Sequence, residues 1–274
     1  MVLITQQQIG IAATRSLSGL TLALLLAACG GGGGGSSANS TVDISGVAAK
    51  GLIKSGVVNA YAVNADGTKS GAALASTTTN TVGSYTLKGL PAGMPVVVEV
   101  TANANTKVVD ENSGSDYTPA NGFSLAAAIN TVAGGTNTAN VTPFSHMAVT
   151  RAKASTGGLS TANIESANTY VAEATGVKIS SSDSTPKFDV DGRTPKNDAA
   201  VKLVAVAKMT APTDSSVDGC VGDVAAKAKC VVEKLATEAT GALDASQGIT
   251  KALQDKVTEV KTTASSVVVS DVKI

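Results

Sequence analysis

The sequence predicts an α+β fold in which a small β-sandwich is followed by a small helical bundle. Between positions 42 and 100, short segments of alternating apolar and polar residues recur roughly every ten residues, which is typical of a compact β domain. From Pro143 onward the apolar residues recur at helical spacing instead. The intervening stretch, 103–142, is rich in Asn, Thr, Gly and Ser and separates the two patterns.

The first 28 residues have the layout of a secretory signal. They contain no acid and a single base, Arg15, followed by an apolar run of about ten residues that is too short to span a bilayer. A helix packed into a core is the alternative, but the six glycines at 30–35 disfavour it, because each costs about 1 kcal/mol inside a helix. We therefore expect residues 1–28 to be removed from the mature protein.

The segment Leu26-Ala27-Ala28-Cys29 resembles the lipobox of bacterial lipoproteins. The resemblance implies cleavage before Cys29 by signal peptidase II and attachment of a diacylglycerol to the Cys29 thiol. Residues 29–40 then form a lipidated Gly/Ser tether. Gly30 is not the aspartate that marks retention in the inner membrane in enterobacteria, so the outer membrane is favoured. The membrane is thus an expected partner through the lipid anchor, with the body facing the periplasm or the cell surface.

The β domain is predicted to contain about five short strands. A hairpin turn is expected at Asn64-Ala65-Asp66-Gly67, since Asp-Gly between alternating segments favours a tight turn. The predicted strands are 44–47, 57–63, 75–79, 84–87 and 96–100.

The order of residues from Val42 to Val100 resembles carboxypeptidase-regulatory-like and Cna-B-type modules. Its most specific parts are Gly83-Ser84-Tyr85-Thr86-Leu87 and the turn Leu90-Pro91-Ala92-Gly93. The resemblance implies an Ig-like, prealbumin-like sandwich over residues 41–102 that serves as a spacer, stalk or adhesive unit, and it implies no catalytic residues.

The region 103–142 is predicted to contain two further strands, at 122–129 and 137–142. From sequence, these strands either extend the sandwich or form a hairpin that links two domains.

The helical domain is predicted to cover residues 143–274. Pro143 suits the first turn of a helix, and Ser160 and Gly176 are the expected N-terminal and C-terminal caps of a second helix at 162–175. Further helices are predicted at 196–210, 224–239 and 249–266. The beginning of this region also resembles a recurrent C-terminal region of proteobacterial lipoproteins of unknown function.

Apart from Cys29, the chain has two cysteines, Cys220 and Cys230. An even pair in an exported protein predicts a disulfide. Ten residues of one continuous helix would separate the two Cα atoms by about 15 Å, whereas a disulfide needs less than about 7 Å. We therefore expect a break near Gly219 and Gly222, with Asp223 capping a helix that starts at Val224.

Charge and composition exclude several classes of function. Without Arg15 the chain carries 20 bases against 21 acids, so it lacks the basic stripe required for nucleic-acid binding. One histidine in the whole chain leaves too few ligands for a zinc site, and no phosphate-binding glycine loop is present. No cofactor is expected.

Three polar sites are candidates for a function. His146 is the only imidazole and is predicted to be an ordinary packed or surface histidine. Asp189 and Asp191, which precede Gly192, are candidate calcium ligands, but the spacing departs from an EF-hand loop and a polar inter-helix loop is favoured. The acidic segment 110–112, with Asp116, is expected to be a solvated turn.

The sequence therefore favours a non-enzymatic, outer-membrane-anchored lipoprotein with a structural, adhesive or assembly role and a protein partner in the cell envelope. The alternative is a periplasmic or surface lipoprotein that binds a small molecule or glycan in a groove of the helical domain or at the domain junction. An enzyme would require His146, a serine and a carboxylate within one cleft.

Overall fold

The structure is a computed structural model that describes residues 40–264 and 267–272. The signal segment 1–28, the lipidation site Cys29 and all of the tether except Ser40 lie outside the described residues. The described body, from Ser40 onward, belongs to one compact unit. It has an α+β fold, as predicted, with mostly antiparallel sheets and five α-helices among the described residues.

Among the described residues, ten strands precede the helices. They are β1 (Thr41–Val47), β2 (Ile53–Lys54), β3 (Val57–Val63), β4 (Lys69–Thr78), β5 (Ser84–Pro91), β6 (Pro95–Thr101), β7 (Lys107–Val109), β8 (Asp116–Tyr117), β9 (Ser124–Asn130) and β10 (Asn137–Thr138). All five predicted strands are present. The strand predicted at 75–79 begins earlier, at Lys69, and the one predicted at 137–142 is shorter, although an isolated bridge joins Val141 to Ala48.

Two of the three sheets in the described residues share one apolar core. The first has the order β10-β1-β5, and the second is an antiparallel sheet of order β4-β3-β6-β9. Ile44 and Leu87 of the first sheet lie in the same buried cluster as Val58, Val98 and Leu125 of the second. Alternation along each strand sends these side chains to one face.

The strands of region 103–142 belong to these sheets. β9 pairs along its whole length with β6, from Pro95 opposite Asn130 to Thr101 opposite Ser124, and β10 pairs in parallel with β1. The question that the sequence left open is therefore answered for these strands, because they extend the sheets. The short strands β2, β7 and β8, which the sequence did not predict, form a third sheet of order β2-β7-β8.

Helices cover the part of the four-stranded sheet's outer face that β6 and β9 form. Val97 of β6 and Ala126 and Ala128 of β9 are buried in the helical core rather than between the sheets. Because both faces of these two strands are covered, they are nearly continuous runs of apolar residues.

The five α-helices lie close to their predicted positions. They are α1 (Pro143–Ala154), α2 (Thr161–Thr175), α3 (Asp198–Met209), α4 (Val224–Glu238) and α5 (Gly248–Thr263). The predicted caps are confirmed, since the side chain of Ser160 accepts a hydrogen bond from the Asn163 amide and Gly176 ends α2 in a left-handed conformation. In α5, Leu253, Val257 and Val260 recur at helical spacing and are buried.

The β3–β4 turn contacts the helical region directly. It is the hairpin turn predicted at 64–67, and its Gly67 has a φ of +79°. The Gly67 carbonyl accepts a hydrogen bond of 2.8 Å from the amide of Leu159, just after α1. A Cβ atom at position 67 would lie 2.1 Å from the Gly157 carbonyl oxygen, so the close packing requires glycine here.

Candidate functional site

The disulfide predicted between Cys220 and Cys230 is confirmed, with the two Cα atoms 5.5 Å apart. Asp223 caps α4 as expected, its carboxylate accepting a hydrogen bond of 2.9 Å from the Ala226 amide. Cys230 lies about two turns into α4, and Cys220 belongs to the preceding loop, which folds back alongside the helix. Cys220 is buried, whereas Cys230 remains partly exposed.

A groove of about 800 Å³ lies beside this disulfide. Such a volume is within the range of small-molecule sites. Val217 and Ile249, both buried, and Cys230 supply apolar surface. No aromatic side chain is among the described residues that line the groove. The described residues that line the groove are Ser216, Val217, Asp218, Cys230, Glu233, Lys234, Thr237, Glu238, Gly248 and Ile249.

One end of the groove is held by an unusual helix cap. The N-cap residue of α5, Gln247, makes no capping hydrogen bond with its side chain. The Glu238 carboxylate takes over this role and accepts hydrogen bonds from the Ile249 amide at 2.8 Å, the Thr250 amide at 3.2 Å and the Thr250 hydroxyl at 2.6 Å. An acidic group at a helix N-terminus also interacts favourably with the helix dipole. Glu238 thus joins the end of α4 to the start of α5.

A buried lysine donates hydrogen bonds to the loop between α3 and α4, part of which lines the groove. Lys227 of α4 is 2 % exposed, and its ammonium donates to the carbonyls of Ala211, at 2.7 Å, and Asp214. The Asp214 carboxylate in turn pairs with Lys256 of α5 at 2.7 Å. Together with the disulfide, these contacts hold the groove in a preformed shape.

A second buried charge cluster corrects the expectation for the acidic segment 110–112. Asp110 and Glu111 are not solvated, being 9 % and 5 % exposed. This segment packs on the end of α3, where the Asn112 side-chain amide donates to the Ala207 carbonyl at 2.8 Å. Burial of the loop against a helix end, which the local sequence does not reveal, is the reason the prediction was wrong. Asp116 is exposed and pairs with Lys54 at 2.9 Å, so the expectation holds for that residue.

Glu111 lies opposite Lys50, which is also buried. The Lys50 ammonium donates to the Thr210 hydroxyl at 3.0 Å and lies 3.7 Å from Glu111 Oε2. Both Glu111 oxygens and the Tyr117 hydroxyl are buried without a hydrogen-bond partner among the described residues. Burial raises the pKa of Glu111 to about 8. Burial lowers the pKa of Lys50, but Tyr117, Glu111 and Asp110 raise it above its ordinary value.

A third buried lysine ties down the C-terminal residues. Lys202 of α3 donates to the Ser270 hydroxyl at 2.6 Å and to Asp198 at 3.1 Å. The Ser270 hydroxyl lies 2.7 Å from the same carboxylate. Burial lowers the pKa of Lys202 and Asp198 opposes this. These hydrogen bonds join Ser270 to Lys202 and Asp198 of α3.

His146 lies on α1 with its Nδ1 atom buried and without a hydrogen-bond partner among the described residues. Burial lowers the pKa of its imidazole to about 4, and Lys153 adds to the effect. His146 is therefore neutral at pH 7, and no described serine or carboxylate donates to or accepts from Nδ1.

The carboxylate of Asp189 is hydrogen-bonded to backbone amides of its own loop. The Asp189 carboxylate accepts hydrogen bonds from the amides of Arg193, at 3.0 Å, and Thr194, at 3.2 Å. The bonds from Thr194 and Arg193 lower the pKa of Asp189 to about 2. Asp191 is exposed. Within the described ranges, no three His, Cys, Asp or Glu side chains are grouped so that they could hold a metal ion.

The three buried lysines were missed, although each carries a signal in the sequence. Lys50 lies in an otherwise apolar segment, Lys202 lies in a helix that is apolar on all sides, and Lys227 shares a helix face with Val231. A lysine on an apolar face needs a buried partner or a carbonyl cluster.

In the part of the chain that the structure describes, no helix has the length and apolar character needed to cross a bilayer. The chain matches no protein-family model, no curated protein and no solved structure.

Proposed function

We propose that this protein is an exported, non-enzymatic lipoprotein, anchored to the outer membrane through Cys29, with a structural, adhesive or assembly role in the cell envelope. The observation that carries the proposal is the disulfide between Cys220 and Cys230. Stable disulfides persist in oxidising compartments and are rare in the cytosol. The bridge therefore supports export, in agreement with the signal segment and lipobox at the other end of the chain.

The proposed architecture suits a spacer or adhesive module. We assign residues 41–102 to an Ig-like, prealbumin-like sandwich with 103–142 attached to it, and residues 143–274 to a helical bundle domain. Two sheets that share one core support the sandwich, and so does Tyr85, whose buried ring belongs to the Gly83-Ser84-Tyr85 motif. The Tyr85 hydroxyl donates to the Ala139 carbonyl and thereby joins β5 to the segment after β10.

The proposed role requires no catalytic group. The three buried lysines of the described residues have structural partners instead. Lys227 holds a loop, Lys202 holds the C-terminal residues, and Lys50 lies between the 110–112 loop and the end of α3.

Lipid labelling tests the anchor. Cells that express the full chain are grown with an alkyne analogue of palmitate, and the mature N-terminus is determined by mass spectrometry. We expect label on the wild-type chain, cleavage before Cys29, and no label on Cys29→Ala. The matched control, Cys220→Ala with Cys230→Ala, should keep the label because it leaves the lipobox intact. An unmodified Cys29 within an uncleaved chain would refute the proposal.

The groove beside the disulfide favours a second candidate function, the binding of a small apolar molecule. Because the described lining contains no aromatic side chain, it offers no ring on which a sugar could stack. Nile red, an uncharged apolar dye, is a suitable probe with the full chain. We expect saturable binding that is abolished by Thr237→Trp, which fills the groove, and retained in Val132→Trp, since Val132 is exposed elsewhere. Equal dye binding by both variants would exclude the groove.

A further inference from the structure

We infer that the groove beside the disulfide binds a single-chain amphiphile with a zwitterionic head, carrying one ammonium and one anionic group. This inference rests on the second function proposed above and names the chemistry of its ligand. The apolar surface of Val217, Cys230 and Ile249 would contact an aliphatic chain rather than an aromatic or sugar ring.

Most polar side chains that line the groove are already engaged. Glu233 pairs with Lys229 at 2.9 Å, the Thr237 hydroxyl donates to the Glu233 carbonyl at 2.8 Å, and Glu238 caps α5. Ser216 donates to Asp214, and Cys230 is in the disulfide. These groups shape the groove, but their charges and hydrogen bonds are satisfied without a ligand.

Two lining side chains, Asp218 and Lys234, differ from the rest. Both are exposed, and neither has a hydrogen bond or ion pair with another described residue. They also form no ion pair with each other, although they border the same groove. The groove therefore presents one carboxylate and one ammonium as separate free charges.

Charge complementarity then selects the head group. An ammonium on the ligand can approach Asp218 while a phosphate or carboxylate approaches Lys234. A purely cationic or purely anionic head would satisfy one of these charges and leave the other without a partner. An exposed ion pair contributes up to about 1 kcal/mol, which corresponds to roughly fivefold in affinity.

The test measures displacement of Nile red by four amphiphiles that share a dodecyl chain, each below its micelle concentration. Their heads are phosphocholine, trimethylammonium, sulfate and maltoside. The protein is the full chain with Cys29→Ala, so that no acyl group of its own competes for the groove. We expect dodecylphosphocholine to bind about fivefold more tightly than the trimethylammonium and sulfate amphiphiles, each of which can form one of the two ion pairs, and more tightly still than the maltoside, which can form neither.

Removing either of the two free charges should weaken the binding of a different singly charged amphiphile. Lys234→Gln should weaken binding of the phosphocholine and the sulfate by about fivefold and leave the trimethylammonium unchanged. Asp218→Asn should weaken the phosphocholine and the trimethylammonium and leave the sulfate unchanged. Lys88→Gln and Asp191→Asn, which alter exposed charges outside the groove, are the matched controls.

The outcomes separate the two proposals. Loss of the head-group preference in the two groove variants but not in the controls supports the inference. Saturable Nile red binding with equal displacement by all four amphiphiles overturns the zwitterionic ligand and leaves the groove as an apolar site. Failure of Nile red to bind at all overturns both.

Discussion

The ammonium of Lys50 lies 3.7 Å from the carboxylate of Glu111, and both side chains are completely buried. The two residues come from distant parts of the sequence and meet where the 110–112 loop packs on α3. Removing two charges from water costs several kcal/mol each, and a pair at this distance recovers only part of that cost. Such a pair is therefore expected to control the pH dependence of stability more than to increase stability.

Glu111→Gln should change how stability depends on pH. The pKa of Glu111 is about 8 in the folded protein, above its unfolded value of about 4.5. Its contribution to the free energy of unfolding is therefore fully present below pH 4.5 and is lost as the pH rises through 8. The variant lacks this loss, so its stability relative to wild type should increase from pH 5 to pH 8. Urea unfolding at both pH values measures the difference, and an unchanged difference would contradict the assignment.

His146→Gln should have the opposite dependence on pH. Burial holds the pKa of the His146 imidazole at about 4, below its ordinary value of 6.5. The neutral ring's contribution is present above pH 6.5 and is lost as the pH falls toward 4, by up to about 3 kcal/mol. The variant should be less sensitive to acid over this interval. Because His146 is the only histidine, its NMR resonances report the pKa directly, and titration near 6.5 would disprove the prediction.

Removal of the disulfide should destabilise the body without abolishing its fold. Cys220→Ala combined with Cys230→Ala releases a constraint on the unfolded chain, and for a loop of this size we expect a loss of about 2–3 kcal/mol. Thermal unfolding with and without dithiothreitol measures it. The reductant should lower the melting temperature of the wild-type chain and leave the double variant unchanged. A reductant effect of equal size on both proteins would mean that the bridge is not responsible.

Gly67→Ala should be more damaging than Gly89→Ala. It combines a φ of +79° with a Cβ position only 2.1 Å from the Gly157 carbonyl oxygen. Gly89→Ala is the matched control, because Gly89 has a φ of +70° but no atom within 4 Å of its Cβ position. We expect Gly89→Ala to lose about 1 kcal/mol from backbone strain and Gly67→Ala to lose clearly more. Equal losses in urea unfolding would show that the turn does not pack on the helical region as described.

Local chemistry explains which features could be predicted. The five α-helices, the caps Ser160, Gly176 and Asp223, and the hairpin at 64–67 depend on residues that are neighbours in the chain. The disulfide was predictable because the chain has three cysteines and the lipobox resemblance assigns Cys29 to a lipid, which leaves Cys220 and Cys230. The short strands β2, β7 and β8 were missed because two or three residues carry no measurable period.

The sequence by itself determined the α+β class, the positions of the helices, most of the strands and the pairing of the cysteines, because these depend on periodicity and on local hydrogen bonding. Tertiary structure alone decided that β9 completes the four-stranded sheet and that Lys50 and Glu111 meet in the interior. It also decided that the loop before α4, α4 itself and the start of α5 enclose a groove. These features depend on residues far apart in the chain, whose proximity is fixed only when apolar faces of separate elements are buried together.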